Sequence, residues 1–277
     1  MGSVDQTKPL VVGIVNVTPD SFSDGGRFLD PGAALAHARR LIAQGADILD
    51  IGGESTRPGA EPVSEDDEIA RVIPLIEQVR GESDIRLSID TMKPAVARAA
   101  VAAGAAIWND VTALRWSDDS LSTAAELGCE VVLMHMLGEP RTMQDDPRYD
   151  DVVAEVRAFL ADRAEAAVAA GVAREKIWLD PGIGFGKTLA HNLALLANLD
   201  ALTALDFPVV LGASRKRFLA ALYPAAKDPD ARLGGSLAAA LTGASAGVAA
   251  VRVHDVAETV QALKVWAAIG DMSSRDI

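Results

Sequence analysis

A single cysteine, Cys129, stands in 277 residues, so no internal disulfide framework can brace the chain. A reducing compartment is the simpler expectation. Aromatic residues make up only 4%. Beside abundant Ala, Val and Leu, that scarcity favours helices packed on a parallel sheet over an aromatic-rich β architecture. Basic residues are outnumbered, 26 Lys and Arg against 39 Asp and Glu, for a formal net charge of −13. Such a balance argues against nucleic acid or an anionic membrane as a general partner, but not against an anionic substrate, since a few focused cations reverse a local field. Met1-Gly2-Ser3-Val4-Asp5-Gln6 lacks a basic region followed by an apolar core, so no signal peptide is read and a cytoplasmic protein is expected. The most apolar late stretch, Leu237 to Val251, is too short and too rich in Gly, Ser and Thr to span a bilayer. No cluster of His and Cys has metal-ligand spacing, which weighs against zinc or iron chemistry.

What is present is a regular alternation. Residues 10–16 form an apolar run rich in Val and Ile, the signature of a strand buried on both faces. The run ends on Asn16, and a long segment of Pro, Asp, Ser and paired Gly follows. Further strand patterns occupy 47–51, 86–90, 105–110, 130–134, 176–180, 207–212 and 249–254. Helical patterns lie between them, with Pro31 and Pro94 at first-turn positions, a capping box from Ser64 to Asp67, Gly104, Gly128 and Gly171 as stops, and Asp255 capping the last helix. Eight strand–helix units with no linker or composition shift predict one domain, residues 1–277, folded as a (β/α)₈ TIM barrel. A doubly wound open sheet is the runner-up and normally uses fewer strands over this length.

Barrel chemistry collects at the C-terminal ends of the strands. In chain order those ends carry Asn16, Gly52-Gly53 ahead of Ser55-Thr56-Arg57, Asp90, Asn109, Met134-His135, Asp180, Ser214 with Lys216, and Arg252 with His254. Each alone has a structural reading, as helix cap or turn residue; a whole set converging on one face points to a site. Asp90, Asn109, Asp180 and Lys216 suit the polar edge of a fused heterocycle, and carboxylates facing ring N–H groups discriminate strongly because a wrong ligand leaves charges unpaired. Ile14, Met134 and Phe185 are candidates for apolar cover, or simply core. Arg252 and His254 alternate along one strand and, with Arg57, would form a cationic mouth for a diphosphate. Asn16 offers a hard oxygen to a Mg²⁺ already carried by substrate oxygens. His37 and His191 fall within helices and read as structural or surface, Cys129 as a small core residue, and His135 remains open. Gly182-Ile183-Gly184-Phe185-Gly186-Lys187-Thr188 approaches a P-loop, but Pro181 stands where the first glycine belongs and brings no amide donor.

The blocks Asn16 to Gly26, Gly52 to Gly59, Ser88-Ile89-Asp90-Thr91, Asn109-Asp110-Val111, Asp180 to Phe185, Ser214-Arg215-Lys216 and Arg252-Val253-His254-Asp255 together resemble the dihydropteroate synthase family, the pterin-binding enzymes of folate biosynthesis. The resemblance spans essentially the full chain. It implies a pterin site of Asp90, Asn109, Met134, Asp180, Phe185, Gly212 and Lys216. For the diphosphate it implies Asn16, Arg57, Arg252 and His254, with Mg²⁺ at Asn16. For p-aminobenzoate it implies Phe22, Thr56, Arg57, Pro58, Phe185, Ser214 and Lys216. Asp24 and Ser55 would tie the first loop to the second on closure. It further implies a homodimer, and competition by sulfonamides, because no inserted residue follows Phe185. The implied chemistry is a dissociative substitution at the pterin methylene, with no covalent nucleophile. Two rivals share parts of this pattern: a pterin-binding methyltransferase, which has no use for the Arg252–His254 mouth, and a catalytically silent pterin-binding relative.

Overall fold

A computed structural model describes residues 8–18, 31–55, 60–138 and 142–273. Eight parallel strands, β1 (Leu10–Asn16), β2 (Ile48–Gly52), β3 (Arg86–Asp90), β4 (Ile107–Asp110), β5 (Glu130–Met134), β6 (Ile177–Asp180), β7 (Val210–Leu211) and β8 (Ala250–Val253), pair in the order β6-β5-β4-β3-β2-β1-β8-β7. An isolated parallel bridge from Leu179 to Val209 closes the ring between β6 and β7. The expected TIM barrel is therefore the fold. The helices α1 (Pro31–Ala43), α2 (Glu65–Glu82), α3 (Pro94–Ala102), α4 (Ser120–Leu127), α5 (Val152–Ala170), α6 (Leu189–Ala197), α7 (Asp200–Thr203), α8 (Arg217–Leu222), α9 (Leu233–Ser245) and α10 (Val256–Ser273) lie between and after the strands. Among the described residues no helix is long and apolar enough to cross a membrane.

Strand alternation sorts the core into two layers. On β2, Leu49 and Ile51 face outward into the shell between sheet and helices, where Val11, Val15, Leu87, Ile89, Leu133 and Leu179 also pack. Ile48 faces inward with Val12, Ile107, Val132, Val210 and Ala250 to plug the barrel. Below the plug, Arg86 pairs with Glu130 at 2.5 Å, and Glu130 also accepts the Trp178 indole N–H at 2.7 Å.

Local signals placed the helices well. Ser64 accepts the Asp67 N–H as the N-cap of α2, and Gly128 and Gly171 end α4 and α5 in the left-handed region. Several bounds differ from expectation. The seventh strand shrinks from 207–212 to two residues, because Pro208 has no N–H for the ladder and gives only its carbonyl, to Leu179. The fourth strand starts at Ile107, not at residue 105, and Lys176 belongs to a 3₁₀ turn ahead of β6. Asp255 does stand at the cap position before α10, its carbonyl receiving the Thr259 N–H, while its carboxylate holds Arg215 at 2.5 Å.

Candidate active site

Register brings the strand tips level. Asn16 pairs with Gly52, Gly52 with Asp90, Asp90 with Asn109, and Met134 with Asp180. These residues share one rim above the apolar plug.

The first half of the rim is a charge network. Arg252 reaches inward, donating from Nε to Asp50 Oδ2 at 2.5 Å and from Nη2 to Asp90 Oδ2 at 2.7 Å. Asn109 donates from Nδ2 to the same Asp50 oxygen at 3.0 Å. Burial pushes Asp90 up to about 7; Arg252 opposes that rise and the Asp50 charge adds to it. Burial works against the Arg252 guanidinium, but Asp50 and Asp90 outweigh it and keep the charge firmly in place. Arg252 and His254 do alternate along the end of β8, and Arg252 spends its Nε and Nη2 donors on two carboxylates inside the barrel.

The second half centres on Gly212. A Cβ there would lie 3.6 Å from Asp180 Oδ2, 3.9 Å from Arg252 Cβ and 4.0 Å from Lys216 Nζ, so these three groups converge around the glycine. Asp180 is buried; it accepts the Gly182 N–H at 2.7 Å, and its carboxyl is raised by burial against the pull of Lys216. Burial lowers Lys216 to about 8, with Asp180 opposing. The ammonium donates to the Ile183 carbonyl and lies 4.5 Å over the Phe185 ring. Phe185 also meets a cluster of Met92, Val111, Met134, Met136 and Met143, a soft apolar wall beside the polar edge. Ser214 and His254 come together separately, Oγ to Nδ1 at 3.1 Å.

Ser55 is half-buried. Phe22, Asp24, Thr56, Arg57 and Pro58 lie outside the described residues, and so does the expected tie from Asp24 to Ser55.

Other expected roles can be placed. His135 is buried, takes Lys187 Nζ at Nδ1 (2.9 Å) and packs its ring edge-on to Phe159. Burial and the neighbouring Lys187 lower it to about 3, so it stays neutral and structural. His37 contacts the Ile14 carbonyl, His191 completes a capping box with Thr188, and Cys129 packs in the outer shell. The near P-loop is no phosphate cradle: its Gly182 and Gly184 amides are taken by Asp180 and Asn192, and its lysine turns inward. Gly182 is there because its backbone has φ of +65° and a Cβ would fall 1.9 Å from the His135 carbonyl oxygen.

Sequence reasoning passed over Asp50. The residue reads as one polar letter inside an apolar strand, yet it is 1% exposed and joins Arg252 to Asn109. A carboxylate at an inward position of a buried strand was the available signal.

A parallel barrel whose strand tips hold buried carboxylates and cations only partly neutralised against one another is an enzyme's site. The family model for pterin binding enzymes matches residues 12–254. The chain is 47% identical over 263 residues to the dihydropteroate synthase of Escherichia coli (strain K12), covering 95% of this chain and 92% of that one. The Xanthomonas albilineans dihydropteroate synthase, solved with 4-aminobenzoic acid, superposes with a TM-score of 0.90 at 51% identity over 98% of this chain and 95% of that one. The Yersinia pestis dihydropteroate synthase, solved in a sulfonamide drug complex, gives 0.91 at 46% identity over 97% and 96%. The chain belongs to the pterin-binding enzymes and, among them, to the dihydropteroate synthase family. It is a transferase of folate biosynthesis.

Proposed function

We propose that the chain joins 6-hydroxymethyl-7,8-dihydropterin diphosphate to p-aminobenzoate by a dissociative substitution, giving 7,8-dihydropteroate and diphosphate. The observation that carries this reading is the convergence of Asp180, Lys216 and Arg252 around Gly212 at the strand tips. Asp90 and Asp180 accept ring N–H groups, Asn109 supplies an amide whose orientation Asp50 fixes, and Lys216 turns from the Ile183 carbonyl to a ring acceptor. Met134 and Phe185 cover the ring faces. Burial strengthens each of these contacts and penalises a ligand that leaves one unmade.

Diphosphate departs toward the mouth. Arg252, His254, Arg57 and Asn16 meet it there, Arg252 while also holding Asp90. The pterin methylene is left cationic, its charge spread into the ring, and the weakly basic aryl amine attacks it. No covalent nucleophile is used. p-Aminobenzoate is taken by Phe22, Thr56, Arg57, Pro58, Phe185, Ser214 and Lys216, with Asp24 and Ser55 drawing the two loops together against water. Sulfonamides compete at that subsite as aryl amines.

Among the described residues no group of three His, Cys, Asp or Glu could hold a metal by itself. Asn16 fits a Mg²⁺ only as one oxygen ligand to an ion already bound by the diphosphate. When bound, the ion neutralises charge on the leaving group. A homodimer is supported by Val265, Ile269 and Met272, exposed apolar residues at helical spacing on α10. A cytoplasmic place is supported by the single cysteine and the folate-pathway role.

The test is diphosphate release from the dihydropterin diphosphate, measured with and without p-aminobenzoate. Release that does not depend on the aryl amine, or none at all, defeats the assignment.

A further inference from the structure

A second cluster of buried charge sits beside the barrel mouth, outside the strand tips. Lys93 follows β3, three residues beyond Asp90, and its side chain is 6% exposed. Its ammonium spends all three protons: on Glu54 Oε2 at 2.5 Å, on the Val63 carbonyl at 2.6 Å and on Glu68 Oε2 at 2.7 Å. Glu54 belongs to the chain leaving β2. Val63 and Glu68 belong to the chain returning into α2. One ammonium therefore ties together both flanks of residues 56–59.

The anchor point is itself fixed. The Lys93 N–H donates to Thr91 Oγ1 at 3.2 Å, and the Thr91 carbonyl accepts the Trp108 indole N–H at 2.7 Å. The outgoing flank is pressed onto α2. A Cβ at Gly53 would lie 2.9 Å from Glu68 Cγ and from Val72 Cγ1, and Arg71 donates to the Gly53 carbonyl at 2.9 Å.

Stability alone is a poor reason for this cluster. Two carboxylates share one ammonium in a dry setting, where the loss of hydration offsets most of the Coulomb gain and apolar packing serves as well. Glu68, fully buried, is held above the ordinary carboxylate range by burial, with Lys93 pulling back. What the ion cluster supplies, and an apolar cluster would not, is a fixed separation between two chain segments.

We propose that Lys93, with Glu54 and Glu68, is a positioning group for the second substrate: it sets where the chain bearing Thr56, Arg57 and Pro58 leaves and rejoins the barrel. The inference rests on the reading above that those three residues serve the aryl amine.

The test uses Lys93→Met, Glu54→Ala and the double variant, assayed by initial rates with each substrate varied in turn and by sulfonamide inhibition. The expected result is a rise in KM for p-aminobenzoate on the order of tenfold to a hundredfold, as a misplaced positioning contact gives. The sulfonamide inhibition constant should rise in parallel, while KM for dihydropterin diphosphate stays within about twofold. The double variant should be no worse than Lys93→Met, because both remove one clamp. Glu54 is the more exposed partner, so Glu54→Ala decides the matter if Lys93→Met does not fold. An unchanged KM for p-aminobenzoate, an equal rise for both substrates, or a fall in kcat alone overturns the proposal. Failure of the unmodified protein to release diphosphate with p-aminobenzoate would instead strike the functional reading on which it rests.

Discussion

The two ends of the barrel interior are built on opposite principles. At the lower end Val12, Ile48, Ile107, Val132, Val210 and Ala250 line the lumen with apolar groups, and the polar groups beneath them, Arg86, Glu130 and the Trp178 indole, are matched to one another. At the upper end the strand tips and the loops after them carry Asp50, Asp90 and Asp180 against Arg252 and Lys216, and burial pushes Asp90 up to about 7 and Lys216 down to about 8. The lower end spends Arg86, Glu130 and the Trp178 indole on one another. The upper end has desolvated donors and acceptors that a flat polar ring can complete. Stability and activity should therefore separate by level: substitutions below should cost folding and spare turnover, and those above the reverse.

The largest effect expected below is from Ile48→Ala. Ile48 is 2% exposed in the plug, and an Ile-to-Ala cavity costs roughly 2–5 kcal/mol of unfolding free energy. Denaturant melts should show that loss while kcat/KM, per folded molecule, stays near its original value. A large fall in kcat/KM would mean that the plug shapes the site above it.

Asp180→Ala is the counterpart above. Removing the buried carboxylate that accepts ring N–H groups should lower kcat/KM for dihydropterin diphosphate at least about a hundredfold, near 3 kcal/mol. The melting temperature should move little, since Asp180 is a carboxylate that burial disfavours. Unfolding of Asp180→Ala with normal turnover of the folded fraction would erase the distinction between the ends.

A smaller effect should appear in pH dependence. In the free protein Asp90 holds a proton below about 7, and a protonated carboxyl accepts ring N–H groups poorly. Hence kcat/KM for the pterin substrate should fall as pH drops through that value, since this ratio reports the free enzyme. Asp50 helps push Asp90 up, and it competes for Arg252, which pulls Asp90 down. Asp50→Asn removes the first effect and frees Arg252 for Asp90, so the acidic limb should move to lower pH. A limb that stays put or moves upward would show that Asp50 is not coupled to Asp90.

The fold was largely legible because it rests on local signals. Buried Val- and Ile-rich runs marked the strands, and Ser64, Gly128 and Gly171 marked helix ends through hydrogen bonds and dihedral angles that neighbours alone decide. The set of polar strand tips was legible too, because register follows from the strands. Partnerships across the barrel were not. Nothing in the order of the chain says that Arg252 turns inward to Asp50, 202 residues away, that Lys187 is spent on His135, 52 residues away, or that Lys93 gathers Glu54 and Glu68. Such choices depend on which charges meet when eight strands close into a ring, and one residue letter carries no trace of them.

The smallest effect sharpens the comparison most. Glu130 joins the lower polar group, and its salt bridge with Arg86 is open to water, the side chains being 38% and 27% exposed for Arg86 and Glu130. Exposed pairs of this kind contribute at most about 1 kcal/mol, because water screens the attraction. Glu130→Gln keeps an acceptor for the Trp178 N–H and removes only the charge, so unfolding free energy should fall by no more than about 1 kcal/mol. At the upper end, by contrast, the Asp50 charge reaches Asp90 through Arg252 with little water between them. If the two levels are electrically separate, Glu130→Gln should leave the acidic limb of the pH profile where it is while Asp50→Asn moves it. A limb that shifts in both variants would mean that the apolar plug does not insulate the site, and that the barrel's lower charges belong to the machinery above.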